Sequence, residues 1–84
     1  MTNNEILKKQ IIYRSNHRGV KEMDLLLGNF VKKYINVIKS NELQDLMNIL
    51  VLEDEIIQKW YFEKESNNPV FNTNVSMMLK NFKI

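Results

Sequence analysis

The polar chemistry of the sequence is concentrated in His17-Arg18-Gly19-Val20-Lys21-Glu22-Met23-Asp24, with Tyr13, Arg14 and Ser15 leading in and Leu25-Leu26-Leu27-Gly28 leading out. The stretch holds the sole histidine and one of two glycines, within a dense set of opposite charges. Gly19 lies between two helix-like patterns, where a missing Cβ permits a sharp turn and lets another backbone come close. Glu22 follows three residues later, so with Gly19 near the N-cap its carboxylate reaches back to a free N–H, half of a capping box. Glu22 and Asp24 also set negative charge at the positive end of the next helix, an arrangement that contributes about 0.3–1 kcal/mol each on a surface. Arg18, four residues before Glu22, is expected to pair with it across a tight turn. Two readings follow: a well-capped interhelical turn, and a charged, glycine-floored surface that docks a partner.

Other chemistry finds little support. His17 has no cysteine, nucleophile elbow or glycine-rich phosphate loop to work with, so a histidine of the surface or turn is expected rather than a catalytic one. Glu53, Asp54 and Glu55 are adjacent on a helix and point in different directions, which suits a charged helix N-terminus better than a metal site. Nucleic-acid binding is the competing function. Arg14, Arg18, Lys21, Lys32 and Lys33 lie on the first two helices with a glycine near the turn, as in a helix-turn-helix regulator. Against it, Glu22 and Asp24 sit where the second helix would approach phosphate.

The run Tyr13-Arg14-Ser15-Asn16-His17-Arg18-Gly19-Val20-Lys21-Glu22-Met23-Asp24-Leu25-Leu26-Leu27-Gly28 resembles the signature of the small succinate dehydrogenase assembly factors, the FAD assembly factor family. The family hallmark Arg-Gly-x-x-Glu is matched by Arg18, Gly19 and Glu22. Leu52-Glu53-Asp54 followed by Trp60 is similar to a Leu-Glu-x-x-Asp segment of the family, with the acids more tightly bunched here. The resemblance covers roughly residues 6 to 82 and implies a five-helix domain that binds the flavoprotein subunit of succinate dehydrogenase and promotes its covalent FAD attachment. Fumarate reductase is a further candidate partner. Because attachment in the family is largely autocatalytic, joining the flavin to a histidine of the partner, the resemblance implies no catalytic group here and no stably bound FAD, the cofactor being carried by the partner. It also implies a partner-binding set of Arg14, Arg18, Gly19, Lys21, Glu22 and Asp24: Gly19 for close backbone approach, the two acids as acceptors, the three cations as donors.

The elements that position this stretch read as helices throughout. With 84 residues and 44% hydrophobic content, the chain suits one all-α domain over residues 1–84, a compact antiparallel bundle of five helices at about 4–16, 20–39, 42–51, 53–63 and 74–82. Ile6, Leu7, Ile11 and Ile12 stripe the first helix, capped by Asn3 or Asn4; Met23, Leu26, Leu27, Phe30, Tyr34, Val37 and Ile38 stripe the second, in which Gly28 suggests close approach by another helix. Ser40-Asn41 offers the third N-cap and Thr73 or Asn74 the last. Glu63 to Pro69 is a polar break that ends in a proline stop. Of Trp60, Tyr61 and Phe62, the tryptophan is expected in the core and a neighbour on the surface.

Net charge is +2, unevenly placed: eight Lys/Arg against three acids leave residues 1–40 at +5, and four lysines against seven acids leave residues 41–84 at −3. Such a dipole suits protein docking. There is no cysteine, no apolar run long enough to span a bilayer and no secretory pattern in Met-Thr-Asn-Asn-Glu. A soluble, cytoplasmic monomer without membrane insertion is the expectation.

Overall fold

The computed structural model describes residues 2–63, 70 and 72–83. Five α-helices make up the fold: α1 (Asn3–Asn16), α2 (Lys21–Tyr34), α3 (Ser40–Leu50), α4 (Asp54–Gln58), which runs on into a π-helical turn at Lys59–Glu63, and α5 (Asn74–Asn81). Among the described residues there is no strand. The all-α bundle expected from periodicity is therefore the fold. The polar stop at 64–69 lies outside the described residues.

A single core fills the space between the helices. Ile11 of α1, Met23, Leu26, Leu27 and Phe30 of α2, Leu43, Leu46 and Leu50 of α3, Ile57 of α4 and Val75 and Leu79 of α5 are all buried. Each such side chain contributes roughly 1.5–3 kcal/mol on leaving water. α1 packs against both α2 and α3, and α3 also packs against α5. Phe30, Tyr34 and Phe82 form an aromatic cluster in which Phe82 meets the Phe30 ring edge-on at 5.5 Å.

Several boundaries differ from those the pattern suggests. Thr2 rather than Asn3 or Asn4 caps α1, its hydroxyl accepting from the Glu5 amide at 3.2 Å. Of the α1 stripe only Ile11 is fully buried, while Ile6 and Ile12 are each 43% exposed, because adjacent residues diverge by about 100° around a helix and cannot share one face. α2 stops at Tyr34, five residues short of Lys39. The segment that follows, Ile35-Asn36-Val37-Ile38, joins three β-branched residues to an asparagine, all weak helix formers. There the chain closes a turn in which the Val37 and Ile38 amides both donate to the Tyr34 carbonyl.

The N-cap of α3 is Lys39, one residue before the expected Ser40-Asn41. Lysine has no acceptor to cap with, and Glu42 takes over, its carboxylate accepting from the Lys39 amide at 2.9 Å. Ser40 instead accepts from Asn4 and ties α3 to the start of α1. Gly28 meets its expectation: a Cβ there would come within 2.9 Å of Asn16 Oδ1 and 3.7 Å of the Ser15 carbonyl, so the end of α1 packs onto backbone. Trp60 is buried and Phe62 exposed, while the Tyr61 hydroxyl donates to the Phe82 carbonyl. Lys80 donates to the Trp60 carbonyl at 3.1 Å and lies over the indole ring, which supplies a donor to a carbonyl in the π-helical turn.

Glu42 also accepts from Asn74 Nδ2 at 2.7 Å and so joins α3 to α5. The Lys39 amide, then the Asn74 side chain, hold its carboxyl below the ordinary value of 4.5. A lowered native value means that this contribution is present above 4.5 and lost as pH falls through the native pKa. Glu42→Gln should therefore flatten the acid limb of a urea-midpoint-against-pH curve; an acid limb identical to that of the parent chain would show that Glu42 carries none of it.

Candidate functional site

The short link between α1 and α2 is held from inside by one residue of a distant segment. Arg18 turns its side chain inward, where it is 8% exposed, and its Nε donates to Asp54 Oδ1 at 2.6 Å. Nη1 donates to the Leu50 carbonyl at 2.7 Å and, more weakly, to the Arg14 carbonyl at 3.5 Å, and Nη2 donates to the Leu52 carbonyl at 2.9 Å. The Leu50 and Leu52 carbonyls lie at and just past the end of α3, where helix carbonyls lack amide partners and the macrodipole is negative. One guanidinium thus closes α3 electrostatically while it ion-pairs with the first residue of α4.

Asp54 completes the arrangement. Its second oxygen, Oδ2, accepts from the amides of Gly19 at 3.0 Å and Val20 at 3.3 Å. The amides that lead into α2 are therefore satisfied by a carboxylate 34 to 35 residues away. Asp24 fixes the other side of the link, accepting from the Arg18 amide at 2.7 Å. The N-cap of α2 is Val20, in extended conformation with no side-chain cap. The expected Glu22 capping box at Gly19 and the expected Arg18–Glu22 pair are corrected: both roles are taken by aspartates, Asp54 on the Arg18 side chain and the Gly19 and Val20 amides, Asp24 on the Arg18 amide.

This leaves the set of residues singled out in the sequence divided. Arg18 and Asp24 are engaged in holding the link. Arg14, Gly19, Lys21 and Glu22 are exposed, and Glu22 makes no ion pair with a described residue. Gly19 is free of structural need: its φ is not positive, and a Cβ there would find only Asp54 Oδ2 at 3.8 Å, ordinary contact. His17 stacks on Tyr13 with ring centroids 3.9 Å apart, and its Nδ1 lies 2.7 Å from the Tyr13 carbonyl, which makes that nitrogen the donor. Asp54 is the residue that reading the sequence by itself passed over. Its visible signal was Leu52-Glu53-Asp54, read there as a helix start and a family-like segment; the backbone carbonyls of Leu50 and Leu52 carry no signal at all.

Four of the five cations that would make a nucleic-acid surface lie apart from one another. Arg18 is internal, Arg14 borders the hollow between α1 and α3, Lys32 borders a second hollow between α1 and α2, and Lys33 lies over the Tyr34 and Phe82 rings near α5. A phosphate backbone needs a continuous track, and the helix-turn-helix reading loses it.

Removing the carboxylate of Asp54 leaves a nearly buried guanidinium unpaired and two amides without acceptors. Asp54→Ala should lower unfolding free energy by about 3 kcal/mol, read from urea titration by circular dichroism. An unchanged midpoint would show that the pair does not hold the link.

With this geometry in place, comparison with known proteins gives a consistent result. The family model described as flavinator of succinate dehydrogenase matches residues 9–83. The chain is 37% identical over 78 residues to the mitochondrial succinate dehydrogenase assembly factor 2 of Arabidopsis thaliana, covering 86% of this chain and 42% of that protein. It is 36% identical over 55 residues to an FAD assembly factor of Acetobacter pasteurianus, covering 66% and 50%, and 34% identical over 83 residues to the mitochondrial assembly factor 2 of Dictyostelium discoideum, covering 93% and 59%. The chain thus spans about half the length of the curated relatives it matches. No solved structure matches it. The cytoplasmic location expected from the sequence is overturned, since the Arabidopsis and Dictyostelium relatives and one of Drosophila ananassae are named mitochondrial. No helix among the described residues is long and apolar enough to cross a membrane.

Proposed function

The chain belongs to the flavinators of succinate dehydrogenase, the family matched over residues 9–83, and on that premise we propose that it is an assembly chaperone which binds the flavoprotein subunit of succinate dehydrogenase and promotes its covalent FAD attachment. The observation that carries the residue-level reading is the unengaged outer half of the Arg-Gly-x-x-Glu pattern. Arg18 is consumed inside the fold, whereas Glu22 is exposed and without an ion-pair partner among the described residues, and Gly19 is a glycine that neither backbone conformation nor packing requires. A small residue kept bare beside a free carboxylate is what a closely approaching partner surface needs.

The chaperone does no bond chemistry in this reading. FAD stays with the flavoprotein, and the small protein supplies differential binding: it favours the arrangement of its partner in which flavin and accepting histidine are aligned, which raises the rate by positioning. Lys21 and Glu22, with Arg14 to one side, provide charged hydrogen bonds of both signs for orientation. The protein acts as a monomer in a one-to-one complex, and the same surface serves a fumarate reductase flavoprotein of like shape.

Co-expression with the cognate flavoprotein, followed by a denaturing gel read for flavin fluorescence, tests both levels. Covalent flavin should rise with the chain, fall about tenfold with Glu22→Ala, and fall further with Gly19→Arg, while both variants keep the parent's helical content and melting temperature. Equal fluorescence in every lane, with no co-purification, would rule the function out. Global unfolding of Gly19→Arg would return Gly19 to a structural role.

A further inference from the structure

A hollow of about 740 Å³ lies between α1 and α3, beginning at the inner edge of the α1–α2 link. Its walls combine two features that no internal packing explains. Leu7, Met47 and Val51 give it apolar surface, with Val51 54% exposed, and Tyr13 stands at its side 63% exposed. Arg14 adds positive charge, and none of the hollow's described lining residues is an aspartate or glutamate. The Arg14 guanidinium forms no ion pair with a described residue. The Tyr13 ring is held in place by its stack on His17, so its contact area is offered with little further loss of side-chain freedom.

We propose that this hollow is a second docking site, for an extended acidic segment of the flavoprotein that carries alternating apolar side chains. The inference rests on the docking reading above and extends it along α1. Carboxylates of such a segment match the planar fork of Arg14, and its apolar side chains cover Leu7, Met47 and Val51. Charge selects the occupant. The neighbouring hollow between α1 and α2, about 490 Å³, is lined by both Asp24 and Lys32 and carries no such preference. A nucleic acid fits less well, because the floor is aliphatic and one face of Tyr13 is already covered by His17, which leaves one flat surface where single strands need successive stacking platforms.

The test uses the full chain co-expressed with its cognate flavoprotein, with the photo-crosslinking residue p-benzoylphenylalanine in place of Val51, and in a control in place of Val37, which is 68% exposed and lines neither hollow. Irradiation should join the Val51 probe, and not the Val37 probe, to a flavoprotein peptide rich in Asp or Glu. Arg14→Glu should cut that adduct about tenfold, and Arg14→Lys should restore part of it, since charge returns without the fork. A flavoprotein that co-purifies and gains flavin yet gives no Val51 adduct, or an adduct on a basic peptide, overturns the second site alone. Failure of the parent chain to co-purify with or flavinylate its partner overturns the docking reading and the second site with it. Nucleic acid that co-purifies with the chain and is shed by Arg14→Glu also overturns the proposal.

Discussion

A guanidinium held almost out of water must be paired, and the pairing of Arg18 with Asp54 is the contact on which the α1–α2 end of the bundle depends. It joins three pieces of chain that are remote in sequence: the α1–α2 link, the last turn of α3 and the first residue of α4. Burial of both charges is costly, and the cost is offset because nearly every polar atom finds a partner: three carbonyls and a carboxylate oxygen around the guanidinium, two amides on the other carboxylate oxygen. Lysine, a point charge on a flexible stem, could not make these directed bonds at once. The price of such a network is sensitivity, since loss of one member strands all the others.

From that constraint follows the division of labour in the signature. A pattern in which arginine, glycine and glutamate occur together reads as one surface, yet in three dimensions it has an inner and an outer half. The inner half locks the backbone of the link; the outer half is presented by a link that is locked. Preorganisation of this kind lowers the entropy lost on binding. The two glycines illustrate the same split. Gly28 is required by the approach of Asn16 and Ser15, whereas nothing within the fold requires Gly19.

Around the locked link the molecule offers different surfaces on its different sides. Mixed charge dominates the exposed edge at Lys21 and Glu22, positive charge over an apolar floor dominates the hollow between α1 and α3, and the α5 side is aromatic with Lys33 and Lys80 lying over rings. Four of the basic residues behind the charge excess of +5 in residues 1–40, Arg14, Arg18, Lys32 and Lys33, are set apart over these sides. Net charge describes a segment; recognition depends on where its members face.

By itself the sequence determined the all-α class, the five helices, the apolar stripe of α2 from Met23 to Phe30 though not its extension to the exposed Val37, the burial of Trp60, the close approach at Gly28 and the family, because these depend on local periodicity, propensity and a contiguous signature. It also singled out Arg18, Gly19 and Glu22 as one contiguous pattern. Tertiary structure decided which of those residues face outward. The choice of Asp54 over Glu22 as the partner of Arg18 turns on a separation of 36 residues and on carbonyls that no side chain announces. Local rules carry the first kind of fact, since a helix is built from neighbours. Contacts between remote segments are settled only when the core has brought them together, and those contacts are what divide the exposed residues of the signature from the buried ones.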